Sequence, residues 1–269
     1  AKPIDLKSAN LLDDAIAIGL EGISADENVA AGLYEVTDAG EWIEPDPEQI
    51  KAIESALGVR VSVDLRSRTG FGRNNLWESD LNRLTSQNPI LRRYLQRHQR
   101  TLDQLSAIVN RKHFANAYYS PDQGIDQSLV KALIPLASTC REHVRTLGIR
   151  ARVALAEDRI GDAIIDVNTI HQLGHHLMRD GGTTVEVLLG TALAIAATEH
   201  WCKILSHPEL SLDELGEISK LVNSAPLISG VKALDVFDRL TVLQLAENME
   251  RFGAIGAKRV LGTGSWHHA

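Results

Sequence analysis

Residues 160–206 read IGDAIIDVNTIHQLGHHLMRDGGTTVEVLLGTALAIAATEHWCKILS, and the architecture follows from them. In the first part, Ile160, Ile164, Val167, Gly174 and Met178 recur at helical steps, with His171 in register between Val167 and Gly174. That period is one face of an α-helix, predicted here over 160–179. Gly181-Gly182 interrupts it. From 183 to 206 the chain is apolar on nearly every side: Val185, Val187, Leu188, Leu189, Ala192, Leu193, Ala194, Ile195, Ala196 and Ala197. A helix of that kind is normally central in a bundle, so 183–206 is expected at the middle of the fold. A short glycine turn between two helices makes them antiparallel neighbours.

Outward from this hairpin, helix signals dominate. Upstream, helices are predicted over 126–146 and 150–157, with Gly161-Asp162-Ala163 as the next turn. Leu91, Leu95, His98, Leu102, Leu105 and Val109 form one stripe on a helix that opens at Asn88-Pro89. Ser24-Ala25-Asp26-Glu27 and Ser211-Leu212-Asp213-Glu214 both fit the capping box, predicting helices over 25–38 and to Leu221. Asp46-Pro47 opens a helix to Leu57, with Gly58 as its stop. Further helices are expected over 8–21, 75–86 and 229–251. Val59, Val61 and Val63 alternate with polar residues, but a lone strand has no partner, so 58–74 reads as an extended linker or insertion. Tyr118 to Gly124 reads as a loop. The expected fold is all-α: an irregular multi-helix bundle or a short solenoid-like stack of antiparallel helical hairpins, with no strict repeat period. The expected organisation is N-terminal helices over 1–57, the linker 58–74, a main helical domain over 75–255 and a flexible tail over 256–269.

Composition narrows the function classes. The 269 residues are 44% hydrophobic but only 4% aromatic, so the core is built from Leu, Ile, Val and Ala. A net charge of -7 argues against a general nucleic-acid binder, because neutralising phosphates needs a basic surface. No apolar run reaches the ~18 residues that a membrane helix needs, so no membrane span is expected. Cys140 and Cys202 are compatible with two free thiols or with one disulfide. The chain begins at Ala1, which leaves room for a removed N-terminal segment.

Three segments carry a resemblance. They are Ser24 to Ala31, the Leu91 to His113 helix, and Ala154 to Arg251. In the last, Gly161-Asp162-Ala163-Ile164-Ile165-Asp166 leads to Leu173-Gly174-His175-His176-Leu177 and then to Val187-Leu188-Leu189-Gly190-Thr191-Ala192. Together they resemble a family of uncharacterised helical proteins of planctomycete bacteria. The turn at Gly161 also has tetratricopeptide-like hairpin character, without that repeat's full pattern. Members of the planctomycete family often look membrane-anchored, so the resemblance implies a cell-envelope location. It implies no activity and no functional residues.

Four polar side chains stand out: Glu199, His171, His175 and His200. His171 and His175 are four apart on one helix face, a spacing that can chelate zinc. Gln172 stands where helical zinc hydrolases carry glutamate, and His176 points about 100° away from His175. The expectation is a partly buried histidine bonded to a neighbour rather than a metal site. Glu199 continues the stripe Val185, Leu188, Ala192, Ile195, Ala196, with Cys202 beyond, and is expected to be a buried carboxylate needing a partner. In a hairpin symmetric about Gly181, Glu199 and His200 fall beside Gly161-Asp162-Ala163, whose turn amides would anchor Glu199. Asp13-Asp14, Asp26-Glu27 and the pair Asp235–Arg239 read as solvated surface. The basic run Arg92, Arg93, Arg97, Arg100, Arg111 and Lys112 reads as a solvated outer face. Gly70-Phe71-Gly72-Arg73-Asn74 lacks the end of a phosphate loop. No catalytic residue, cofactor or metal is assigned.

The function expected is that of a protein-interaction or scaffold module with an unidentified protein partner and no nucleic acid. The alternative is an enzyme of unknown, hydrolytic type with a polar pocket near Glu199, or a helical sensor of a small ligand. A pocket of convergent polar groups would favour the alternative, and an exposed apolar patch the module.

Overall fold

A computed structural model of the chain describes residues 22–38, 89–116 and 129–223. The expectations over 8–21, 47–57, 58–74, 75–86, 118–124, 229–251 and 256–269 lie outside the described residues. Within them are six α-helices and no strand: α1 (Val29–Asp38), α2 (Pro89–Ile108), α3 (Leu129–Ala156), α4 (Ile160–Asp180), α5 (Thr184–Leu205) and α6 (Leu212–Asn223). The helices pack on one another as an all-α bundle, with α4 against α5 the most extensive interface.

Side-chain caps account for the starts of three helices. Ser211 and Glu214 form the expected box: Ser211 Oγ accepts from the Glu214 amide at 3.2 Å, and Glu214 Oε2 accepts from the Ser211 amide at 2.9 Å. Thr183 and Glu186 form another at the start of α5. At α1 the expected box is absent. Ser24 Oγ donates to the Glu27 carboxylate instead, and 25–27 make a 3₁₀ turn. Asn28 takes over: its Oδ1 accepts from the amides of Ala30 and Ala115, both at 3.0 Å, and its Nδ2 donates to the Ala115 carbonyl at 2.8 Å. One side chain thus starts α1 and ties it to the segment that follows α2.

Two boundaries differ from expectation. The two segments expected over 126–146 and 150–157 are, within the described residues, the single helix α3, Leu129–Ala156. Gly148 is buried and keeps a negative φ, so the chain runs straight through it. A helical glycine costs ~1 kcal/mol relative to alanine. The buried Val144, Leu147, Ala151, Ala154 and Leu155 around it offset that. The turn between α3 and α4 is Glu157–Arg159, not 161–163, with Asp158 at φ 57°. Aspartate is among the few residues that tolerate this region.

The central helix is α4, not α5. Thirteen of the 21 residues of α4 are buried, against eight of 22 in α5. The register of the hairpin explains the geometry. In a hairpin symmetric about Gly181, Gly174 would oppose Leu188. Instead it lies against Gly190, Leu193 and Ala194. Gly174 and Gly190 let the two backbones approach closely, and the pairing slips by about a turn.

Candidate functional site

The inner face of α5 and the facing sides of α3 and α4 bury an unusual set of polar groups. His171 Nε2 and His175 Nε2 lie 3.0 Å apart, with the rings edge-to-face at 4.4 Å. His171 is buried and meets Trp201 edge-on at 6.5 Å, whereas His175 is half-buried. Burial, then the neighbouring His175, pushes His171 down to about 4. Burial, His176 and Arg179 hold His175 low as well. His176 points elsewhere, as expected, and its Nε2 bonds the Val109 carbonyl at 2.9 Å. His200 is buried; burial first, then Arg152 and Lys203, pushes it down to about 3. His171, His175 and His200 are therefore buried or half-buried, as the sequence suggested.

Glu199 is not. It is exposed, and so is the stripe that pointed to it: Leu188 is 63% exposed, Ile195 58% and Val185 45%, with Cys202 open to solvent. The stripe faces away from the protein because Glu186, Leu189, Leu193, Ala197, His200 and Trp201 occupy the buried side of α5. Glu199 needs no turn amide at 161–163. Its carboxylate acts as a nearby charge on Arg152, whose guanidinium burial pushes down to about 10 while Glu199 pulls it up.

Several polar residues escaped sequence reading. Arg150 on α3 donates from Nε to both Asp166 oxygens at 3.1 and 2.9 Å, from Nη2 to Asp166 Oδ1 at 2.6 Å, and from Nη1 to Asp103 at 2.7 Å. This fork joins α2, α3 and α4 around a buried carboxylate. Burial raises the Asp166 carboxyl, against the pull of Arg150. Glu186 is also buried. It accepts from Asn116 Nδ2 at 2.7 Å and from the Gly182 amide at 2.9 Å. The Thr183-x-x-Glu186 spacing was a legible signal for that role. Arg150–Asp166 had none, because partners 16 residues apart on different helices leave no local pattern.

His143 on α3 is buried, and among the described residues neither ring nitrogen has a hydrogen-bond partner. Burial, then His98, pushes it down to about 4. His143, His171 and His200 together make a pH prediction. In the unfolded chain each titrates near ~6.5. Between ~6.5 and about 4, and for His200 down to about 3, the unfolded chain binds protons that the native state refuses. Stability from these groups is complete above that window and is lost as pH falls through it. At about 1.36 kcal/mol per pH unit, His143 accounts for roughly 3 kcal/mol, His200 for roughly 5, and the less enclosed His171 for less. Burial raises the carboxyls of Asp166 and Glu142, which act in the opposite sense. Thermal unfolding is expected to show Tm falling steadily from neutral to acid pH. His143→Leu is expected to raise stability by about 1–2 kcal/mol at neutral pH, since it removes an unsatisfied buried polar group. It also flattens part of the pH slope. A flat wild-type profile would contradict the burial of these histidines in neutral form.

Two residues of the basic run hold the fold together. Arg111 donates to the carbonyls of Ala25 and Asn28, both at 3.0 Å, and Lys112 pairs with Glu27. Arg92, Arg93, Arg97 and Arg100 are exposed on α2. Both cysteines are free thiols. Burial, then Glu186, pushes Cys140 up to about 12, which makes it a poor nucleophile. Among the described residues no helix is long and apolar enough to cross a membrane, and no three metal-ligating side chains converge. Asp13, Asp14, Asp235, Arg239 and the Gly70–Asn74 segment lie outside the described residues.

No family model, curated protein or solved structure matches this chain.

Proposed function

We propose that this chain is a protein-interaction module that works through the outer face of α5 and takes a second copy of itself there. The observation that carries this reading is the exposure of Leu188 and Ile195 on a helix whose other face is anchored against α4. Burying such side chains contributes about 1.5–3 kcal/mol each, relative to leaving them in water. Positions 185, 188, 192, 195, 199 and 202 alternate by three and four, the seam along which two helices interlock.

The seam is self-complementary in one orientation. With a two-fold axis beside Thr191 and Ala192, Leu188 of each copy meets Ile195 of the other, and small residues sit at the crossing. Glu199 then falls opposite the first turn of the partner's α5, where the helix dipole favours a negative charge. Such an interface repeats the same patch on both copies, as a two-fold dimer requires. One helix face is small against the roughly 800 Å² per partner of a stable complex, so the association is expected to be reversible. Because Glu199 lies on this open face, a polar pocket built on that carboxylate has less support than the module.

Sedimentation over a range of concentrations tests the reading. The wild type is expected to shift from monomer to dimer as concentration rises, and Leu188→Glu to remain monomeric with unchanged helicity. A dimer unaffected by Leu188→Glu, or a monomer throughout, would refute it.

A further inference from the structure

We propose that His171 and His175 form a two-point chelate for a divalent transition-metal ion through their Nε2 atoms, a site independent of the α5 surface. Four residues apart on α4, the two rings share one face, and their Nε2 atoms converge to 3.0 Å. Metal–nitrogen bonds of ~2.0–2.1 Å place two imidazole nitrogens about 2.9 Å apart at a right angle and about 3.4 Å apart at the tetrahedral angle. The observed separation falls inside that interval. Trp201 lies edge-on to His171 with ring centroids 6.5 Å apart, and His175 is half-buried rather than enclosed.

The donor set defines the ion. Two neutral imidazoles suit Cu(II), Ni(II) and Zn(II), with Cu(II) tightest. Among the described residues no third histidine, cysteine or carboxylate converges, so water would complete the coordination. That makes the site open rather than structural. Among the described residues the buried His171 Nδ1 has no hydrogen-bond partner, so none of them supplies the second hydrogen bond that usually orients a ligating histidine. Affinity is accordingly expected to be moderate.

The same 3.0 Å contact also suits an N–H···N hydrogen bond between neutral rings, and metal titration separates the two. Zn(II) and Cu(II) are titrated calorimetrically into four proteins never exposed to a nickel column. These are the wild type, His175→Ala, His171→Asn, and a control with His267 and His268 both replaced by alanine. The wild type and the control are expected to bind one ion and to gain Tm with Zn(II). His175→Ala is expected to bind at least about tenfold more weakly and to show no Tm gain. As His175 is half-buried, this variant keeps the test valid even if His171→Asn fails to fold. Equal binding by the wild type and His175→Ala, loss of binding in the tail control alone, or no binding by the wild type would each overturn the proposal.

Discussion

Replacing Gly190 with alanine is expected to destabilise the protein by about 3 kcal/mol, against the direction that helix propensity sets. A Cβ at Gly190 would lie 2.6 Å from the Gly174 carbonyl oxygen, 2.8 Å from the Leu177 Cβ and 2.8 Å from the Met178 amide nitrogen. Two of these atoms are α4 backbone, which cannot swing aside as a flexible side chain does. The helices would have to part along their most extensive interface. Propensity alone favours alanine over glycine by ~1 kcal/mol, so the sign of the change decides between the effects. Gly174→Ala meets backbone atoms at 3.0 Å and is expected to lose less. Gly161→Ala meets nothing within 4 Å and is expected to gain about 0.5–1 kcal/mol. Denaturant midpoints for the three variants check the order. A Gly190→Ala protein as stable as wild type would rule out the close crossing.

Arg150→Met is expected to cost about 3–5 kcal/mol, a large fraction of the stability of an ordinary domain. The loss does not measure the strength of the ion pair. It arises because Asp166, buried on α4, is left without the guanidinium that holds both its oxygens. A double variant, Arg150→Met with Asp166→Leu, removes the stranded carboxylate and is expected to recover most of the loss. Asp103 has a solvent-exposed side chain, and its replacement by Asn is expected to change little. Urea unfolding of the single and double variants measures the coupling. A double variant no better than Arg150→Met would show that the fork contributes through something other than the buried charge.

The helices themselves were legible because their signals are local. The stripe on α2 and the box at Ser211 sit where periodicity and capping chemistry place them. Gly148 does not end α3, because glycine punctuates a helix only when the backbone takes the left-handed region or packing fails, and neither holds there. The burial direction of α5 was the main misreading. A helix apolar on nearly all sides carries no directional signal, so its stripe of Val185, Leu188 and Ile195 looked like a core face. What turns α5 is contact at long range. Gly190 crosses Gly174, and Glu186 reaches Asn116 70 residues away, beyond any local pattern. The candidate histidines were found because i,i+4 spacing is local, whereas the Arg150 fork and the solitary His143 had no such trace.

The outward-facing stripe of α5 is the feature on which the functional account rests, and a mixing experiment by sedimentation probes it most directly. In the antiparallel pairing, Leu188 of one copy faces Ile195 of the other. Leu188→Glu and Ile195→Lys are each expected to be monomeric where the wild type dimerises. An equimolar mixture of the two is expected to recover dimer. The introduced carboxylate of one variant then meets the introduced ammonium of the other, and the remaining Leu188–Ile195 pair stays apolar. Wild-type protein that stays monomeric at every concentration, or single variants that dimerise as well as wild type, would contradict the account.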